Sequence, residues 1–204
     1  MRHLYRAFIL PATLVSLVVV SSKSAIAAIL FESTLRGDQE VEGSPPGPFT
    51  PAPTGSEGIG LATLELNGSP GSWVLEYEIN YSDLGSVIAA PFAHIHNAPQ
   101  GANGPVVHNL DGADLPPISG STSGTIIGDW RFDDADAPLT NELAQQLLNS
   151  NLYFNIHTVS FPGGEIRGQI FPQDGETPIP EPSTVIASLL VGSAFGIWRR
   201  RVNN

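Results

Sequence analysis

The chain has 204 residues, a formal net charge of −11 and no cysteine. The lack of cysteine excludes disulfides, thiolate metal sites and cysteine nucleophiles. Acidic residues outnumber lysine and arginine by 20 to 9, and because such a surface repels phosphate backbones, we expect no nucleic-acid partner.

The N-terminal segment has the features of a targeting sequence. Arg2 and Arg6 precede a largely apolar run, Ala7–Val20, and Ala25-Ile26-Ala27 supplies the small-x-small pattern that a signal peptidase accepts. These features predict a cleaved signal peptide over residues 1–27 and export of the mature chain. An uncleaved membrane anchor is the alternative, but the run is shorter than the roughly 20 residues that a span needs.

Residues 28–177 are long enough for one domain. They hold three arginines against nineteen acidic residues, which leaves a formal net charge of −16. Acidic charge of this kind in an exported protein serves solubility more often than cation binding.

Short extended runs, separated by clusters of Gly, Pro, Asn and Asp, follow one another through this domain. Their number and spacing predict an all-β fold, an antiparallel sandwich or barrel. The predicted strands are residues 29–35, 58–66, 73–81, 90–96, 106–110, 124–132, 152–159 and 166–171.

Two segments depart from the strand pattern. Residues 42–58 contain five prolines, and we expect a long exposed loop with little fixed structure there. The sequence "TNELAQQLLNS", residues 140–150, predicts one short amphipathic helix with Thr140 as its N-cap.

Histidines concentrate in "AHIHNAPQGANGPVVHNL", residues 93–110, and on a later strand. Strand alternation puts His94 and His96 on one face, about 6.6 Å apart, so both could lean toward one metal ion. His108 follows the turn, and His157 shares a face with Tyr153 and Asn155. Three or four imidazoles converge if these strands are neighbours. In the alternative, neutral imidazoles only satisfy hydrogen bonds inside the domain.

Other polar residues have structural interpretations. Asn103-Gly104-Pro105 is predicted to be a turn. Glu165 and Arg167 share one face of a strand, which favours a structural ion pair or a loop tether over a catalytic role. No serine–histidine–aspartate spacing, phosphate loop or carboxylate dyad stands out, and we predict no catalytic residue.

The C-terminal segment combines three features: Pro180-Glu181-Pro182, a charge-free run over residues 183–198, and the cluster Arg199, Arg200 and Arg201. Sixteen helical residues reach about 24 Å, a short membrane span, and the arginines favour a cytoplasmic end. Residues 178–204 thereby resemble the PEP-CTERM sorting signal of exported bacterial proteins. The resemblance implies cutting near Pro-Glu-Pro by an exosortase-type protease and delivery to the envelope or cell surface; the alternative is an ordinary membrane anchor.

The domain resembles the CHRD family at its histidine-bearing segments. The family's Ala-His-Ile-His block, Asn-Gly-Pro turn and Asn-Ile-His-Thr strand stand at residues 93–96, 103–105 and 155–158, and "PGGEIRGQ" follows at 162–169. Near the start, "QEVEGSPPG" matches the family's Gln-Glu-Val-Pro-Pro except that Glu42-Gly43-Ser44 interrupts it. The resemblance covers residues 30–171 and implies an all-β, immunoglobulin-like fold, with no settled reaction.

A looser likeness is to the copper site of the Cu/Zn superoxide dismutases, which are also β-sandwiches. Carried over by position, it implies His94, His96, His108 and His157 as copper ligands. Because no histidine lies between His108 and His157, the second, zinc subsite is not expected, and the site would take copper or another metal that prefers imidazole.

Two functions remain open. The first is an exported, non-catalytic binding or structural module at the cell surface or extracellular matrix, with polysaccharide or an envelope protein as its partner. The second is a copper-binding, superoxide-dismutase-like protein, which as an enzyme would be a copper-dependent oxidoreductase. The two processing signals favour the first function, and the four histidines motivate the second.

Overall fold

The computed structural model describes residues 27–88, 93–110 and 120–173. The strands are β1 (Ile29–Arg36), β2 (Val41–Glu42), β3 (Thr50–Pro51), β4 (Ile59–Asn67), β5 (Val74–Ser82), β6 (Ala93–Asn97), β7 (Val106–Asn109), β8 (Gly124–Arg131), β9 (Leu152–Ile156), β10 (Ile166–Gln169) and β11 (Phe171–Pro172). A 3-10 turn covers Gly37–Gln39, and helix α1 covers Asn141–Leu148. Each predicted strand segment contains a strand, so the all-β class with one short helix is confirmed.

One antiparallel sheet contains nine of these strands. Its order is β7-β6-β9-β10-β1-β4-β5-β8, and β11 also pairs with β1. The sheet is nearly closed, because its two end strands meet through the rings of His108 on β7 and Trp130 on β8, whose centroids lie 5.0 Å apart. Curling a sheet in this way gives it an inner face that excludes water.

The core follows directly from strand alternation. Leu64 on β4 lies opposite Tyr77 on β5, Ala62 lies opposite Ile79, and all four side chains are buried. Intervening residues of β4 and β5 are exposed or half-buried. Period-2 patterning therefore determines which face of these strands packs inward.

Strands β9 and β10 are buried on both faces. Their core face is apolar, but their other face carries Tyr153, Asn155, Arg167 and Gln169. Loops cover this polar face and supply hydrogen-bond partners: the Gln169 side-chain amide donates to the carbonyls of Ala98, Ser150 and Leu152. A polar layer of this kind is stable only when its groups are paired.

Helix α1 forms as its sequence predicts. The Thr140 side chain accepts a hydrogen bond from the Leu143 amide at 3.2 Å, which is the N-cap contact. Ala144 and Leu147 are buried against the sheet. The helix thus covers part of the core with its apolar face.

The proline-rich segment is more ordered than we predicted. Strands β2 and β3 pair within it, with Val41 opposite Pro51. Beyond this ribbon, the Thr54 hydroxyl donates to the Glu165 carbonyl at 3.0 Å, and the Ser56 hydroxyl donates to the Glu165 carboxylate at 2.5 Å. Most of residues 43–57 are exposed and lie outside the strands, as expected of a long loop, but the segment has more fixed structure than predicted, because side-chain hydrogen bonds fasten it to the sheet.

Both targeting predictions concern residues outside the described part of the chain. Residues 1–26 of the signal peptide and the whole sorting signal, with its helix at 183–198, lie beyond the described ranges. Within those ranges, no helix has the length and apolar character needed to cross a membrane.

His108 faces the interior of the sheet. It pairs with Ile95, whose side chain is fully buried in the core. Its ring stacks on Trp130, and its Nε2 lies 3.3 Å from the Tyr77 hydroxyl oxygen. Burial lowers the pKa of His108 from 6.5 to about 4, against the opposing effect of nearby Asp134 and Asp129. His108 is therefore a neutral, aromatic packing residue at pH 7.

This burial predicts a loss of stability in acid. Below pH 6.5 the unfolded chain protonates His108 and the folded chain does not, so the free energy of unfolding falls until the pH reaches about 4. The contribution of this one group is about 3 kcal/mol. His108→Phe should keep the ring stack and remove that contribution. Denaturant unfolding at pH 7.5 and pH 4 measures it; equal losses in the wild type and the variant would contradict the assignment.

Candidate metal centre

Strands β6 and β9 are neighbours in the sheet, and their register assembles the histidines. His94 lies opposite Asn155, and His96 lies opposite Tyr153. Ala93 and Ile95, between them, are fully buried in the core, so the two imidazoles project from the other, loop-covered face. His157 directly follows β9 on the same side. Residues far apart in the sequence thus meet on one surface.

The three histidines form one cluster. One nitrogen from each of His94, His96 and His157 lies within 4.8 Å of the others, and all three residues are half-buried. The His94 ring centroid is 5.6 Å from that of His96 and 5.2 Å from that of His157. Donors bound to one ion at about 2.0–2.1 Å lie roughly 3.4 Å apart in a tetrahedral site. Side-chain rotations that move each nitrogen by about 1 Å or less therefore suffice for shared coordination.

Backbone carbonyls set the orientation of two of these rings. His96 Nδ1 lies 3.0 Å from the Gly104 carbonyl oxygen, and His157 Nδ1 lies 3.0 Å from that of Pro162. Because a carbonyl only accepts, each Nδ1 carries the proton and each Nε2 has a free lone pair. Both Nε2 atoms are buried and find no hydrogen-bond partner among the described residues. They are donor atoms available to a metal ion.

The site also favours neutral imidazoles. The pKa of His96 is lowered from 6.5 to about 4, mainly by burial and to a lesser extent by the nearby His94, His157 and Arg167, against the opposing effect of the hydrogen bond to the Gly104 carbonyl. Burial likewise lowers the pKa of His157. Because a metal binds the deprotonated ring, these two side chains are ready ligands at neutral pH without first losing a proton.

His108 does not join this cluster. Since it pairs with Ile95 and packs against Trp130, it lies on the core face of the sheet, whereas His94 and His96 lie on the opposite face. The predicted convergence thus holds for three of the four candidate histidines. Its place after the turn and the likeness to superoxide dismutases suggested His108, but the register across the β6–β7 hairpin puts it on the other face.

Comparison with known proteins identifies the family to which the histidine-bearing segments belong. The model of the CHRD domain family matches residues 31–170, more than half of the chain. The chain belongs to the CHRD domain family. No curated protein and no solved structure was found to match it. The matched range includes all three clustered histidines.

In this CHRD domain, Asn103-Gly104-Pro105 forms the last part of the β6–β7 turn and lies against the end of β6; the tight turn itself is at residues 100–101, ahead of the predicted position. The Asn97 amide donates to the Pro105 carbonyl at 3.0 Å. A Cβ on Gly104 would lie 1.9 Å from the Asn97 carbonyl oxygen, so only glycine permits this approach. This approach places the Gly104 carbonyl oxygen 3.0 Å from His96 Nδ1, so the β6–β7 turn also orients a candidate ligand.

Arg167 ties this turn to the sheet. Its guanidinium donates to the Asn103 side-chain oxygen at 2.9 Å and to the Ala102 carbonyl at 2.7 Å. Asn103 in turn donates to the carbonyls of Val41 and Gly43 at 3.0 Å each. Arg167 therefore connects the turn, the start of the proline-rich segment and β10 in one network.

Glu165 has a separate tethering role. It is fully buried and accepts hydrogen bonds from the Ser56 hydroxyl, the Gly85 amide and the Thr158 hydroxyl at 2.5–2.6 Å. Among the described residues, the ion pairs involve Arg131, and Glu165 does not pair with Arg167. Of the two structural roles predicted for these residues, loop tethering describes the contacts and an ion pair does not.

Three residues beside the cluster had no role assigned from sequence: Tyr153, Asn155 and Glu40. Glu40 is buried, and burial raises its pKa from 4.5 to about 7 against the effects of Arg167 and a hydrogen bond from Asn155. Strand alternation places Tyr153 and Asn155 on the same face as the histidines. That pattern was sufficient to include both residues in the candidate site. Alternation gave no such signal for Glu40, but the Gln39-Glu40-Val41 part of the family motif near the start of the domain includes it.

The close approach at Gly104 predicts a selective effect of an added methyl group. Gly104→Ala should lower the free energy of unfolding by about 1–3 kcal/mol, because the backbone must move away from Asn97. Gly163→Ala is the matched control, because a Cβ there meets no atom of the described residues within 4 Å, and it should change stability by less than about 0.5 kcal/mol. Urea unfolding compares the two, and equal effects would contradict the contact.

Proposed function

We propose that this CHRD-domain protein is an exported, non-catalytic binding module of the cell envelope that holds a transition-metal ion through His94, His96 and His157. The observation that carries the proposal is the cluster itself, with nitrogens within 4.8 Å of one another. Two buried Nε2 atoms in it have lone pairs without a hydrogen-bond partner among the described residues. Leaving such atoms unpaired costs free energy, and a bound ion would recover it.

The donor set indicates the class of ion. Three imidazoles, with neither thiolate nor carboxylate joining them among the residues that the structure describes, suit copper, zinc or nickel rather than calcium or magnesium. Copper(II) binds nitrogen ligands most tightly in the divalent series. We therefore favour copper, with zinc as the competitor to test.

Binding has more support than dismutase-like turnover. His108 packs in the core, so the four-histidine set implied by the likeness to superoxide dismutases is reduced to three. A formal net charge of −16 over residues 28–177 opposes the approach of an anionic substrate and favours the approach of cations. The same charge disfavours a nucleic-acid partner.

Export and sorting are part of the proposal. The predicted signal peptide favours secretion, and the Pro180-Glu181-Pro182 segment with its following apolar run favours processing by an exosortase-type protease. The chain would be held in the membrane by its C-terminal helix until it is processed. Its final partners would then be envelope polysaccharide or envelope proteins.

Metal content tests the proposed site directly. Protein purified from copper-supplemented cells should contain about one copper per chain by elemental analysis, and His94→Ala and His157→Ala should each weaken copper binding more than about 100-fold. His108→Phe is the control, because this residue lies on the opposite face of the sheet. Metal-free wild-type protein after both copper and zinc supplementation would refute the metal site.

Sorting has an independent test. Replacing Pro180-Glu181-Pro182 with three alanines should block cleavage near this segment, so the variant should have a larger mature mass and remain in the membrane fraction. Mass spectrometry and cell fractionation measure both properties. An unchanged mass and location would leave the tail as an ordinary membrane anchor.

A further inference from the structure

The His96 ring packs against Tyr153. The two residues are directly opposite each other on β6 and β9, and their rings stack with centroids 4.9 Å apart and planes 11° from parallel. Tyr153 is 1% exposed, so its ring is held on all sides. The stack fixes the plane of the His96 imidazole but does not by itself select which nitrogen carries the proton.

The Gly104 peptide supplies that selection. Its carbonyl accepts from His96 Nδ1 at 3.0 Å, and its amide donates to the Tyr153 hydroxyl oxygen at 3.3 Å. Tyr153 therefore acts on His96 in two ways. Its ring stacks on the imidazole directly, and its hydroxyl is linked to Nδ1 indirectly through the Gly104 peptide. These contacts form a closed circuit of two side chains and one peptide group.

Arg167 anchors the circuit from the other neighbouring strand. Its guanidinium carbon lies 3.5 Å from the centroid of the Tyr153 ring. The same guanidinium donates to the Ala102 carbonyl and the Asn103 side chain, which immediately precede Gly104. The buried Arg167 guanidinium therefore holds two parts of the circuit in place, the tyrosine ring and the residues that precede Gly104.

From these contacts, and resting on the metal site proposed above, we propose that Tyr153 is a positioning residue for that site. Its hydroxyl holds the Gly104 peptide so that the His96 proton stays on Nδ1 and Nε2 faces the ion. A neutral imidazole without this constraint exchanges between two tautomers, and only one of them presents Nε2 to the cluster. The site is thereby built before the metal arrives, which lowers the cost of binding.

The substitution Tyr153→Phe isolates the hydroxyl. It keeps the ring between His96 and Arg167 and removes only the acceptor for the Gly104 amide. The matched control is Tyr77→Phe, which removes another buried tyrosine hydroxyl beside a histidine, His108, on the core face of the sheet. The full chain is used in each case, with copper(II) and zinc(II) as the probes.

Two measurements are needed. Competitive metal titration should show about 10-fold weaker binding in Tyr153→Phe and unchanged binding in Tyr77→Phe. In the metal-free proteins, 15N NMR of the imidazoles should show His96 protonated at Nδ1 in the wild type and in Tyr77→Phe. In Tyr153→Phe it should show a mixture of the two tautomers.

The outcomes separate the two proposals. If the wild type binds neither ion, the proposed function fails, and the NMR signals of the metal-free chains still decide whether Tyr153 controls the His96 tautomer. If the wild type binds and Tyr153→Phe has the same affinity and tautomer, the positioning role is overturned while the metal site stands. Weaker binding with an unchanged tautomer, or an equal loss in Tyr77→Phe, also overturns it, because the hydroxyl would then act only through general stability.

Discussion

The pairing of β6 with β9 is the interaction on which the rest of the site depends. Its register buries Ala93, Ile95, Phe154 and Ile156 on one face, and the apolar area buried there is what fixes the register. A slip of one residue would turn these side chains toward the loops and the histidines toward the core. The hydrophobic side of the sheet thus determines the position of the polar side.

The polar side has its own constraint, because loops cover it and its groups must find partners away from water. The Glu165 carboxylate, the Arg167 guanidinium and the Gln169 amide nitrogen meet this requirement by tethering separate loops to β10 and the residue before it. The loop carbonyls of Gly104 and Pro162 satisfy His96 and His157 on one nitrogen each. The same hydrogen bonds that hold the loops therefore leave the Nε2 atoms of both rings buried and without a hydrogen-bond partner among the described residues.

Charge is distributed unevenly over the sheet. On the exposed face of β4, β5 and β8, Glu65, Glu76 and Asp129 lie directly opposite one another across the strands, a destabilising arrangement for like charges. The histidine cluster, in contrast, contains no carboxylate from the described residues. The acidic exterior raises the local concentration of cations, while the ligands that would select a transition metal are neutral.

The sequence by itself determined the strand segments, the Thr140 cap, the CHRD family and the common face of His94 and His96, because alternation and capping depend on neighbours in the chain. The sequence also predicted a loop-tethering role for Glu165 and Arg167, with an ion pair as the other structural possibility. Only the tertiary structure decided that β9 lies beside β6, that His108 packs on Trp130, and that Tyr153 and Gly104 orient His96. Alternation assigns the faces of one strand, whereas which strands pair, and in which register, depends on contacts between residues distant in the chain.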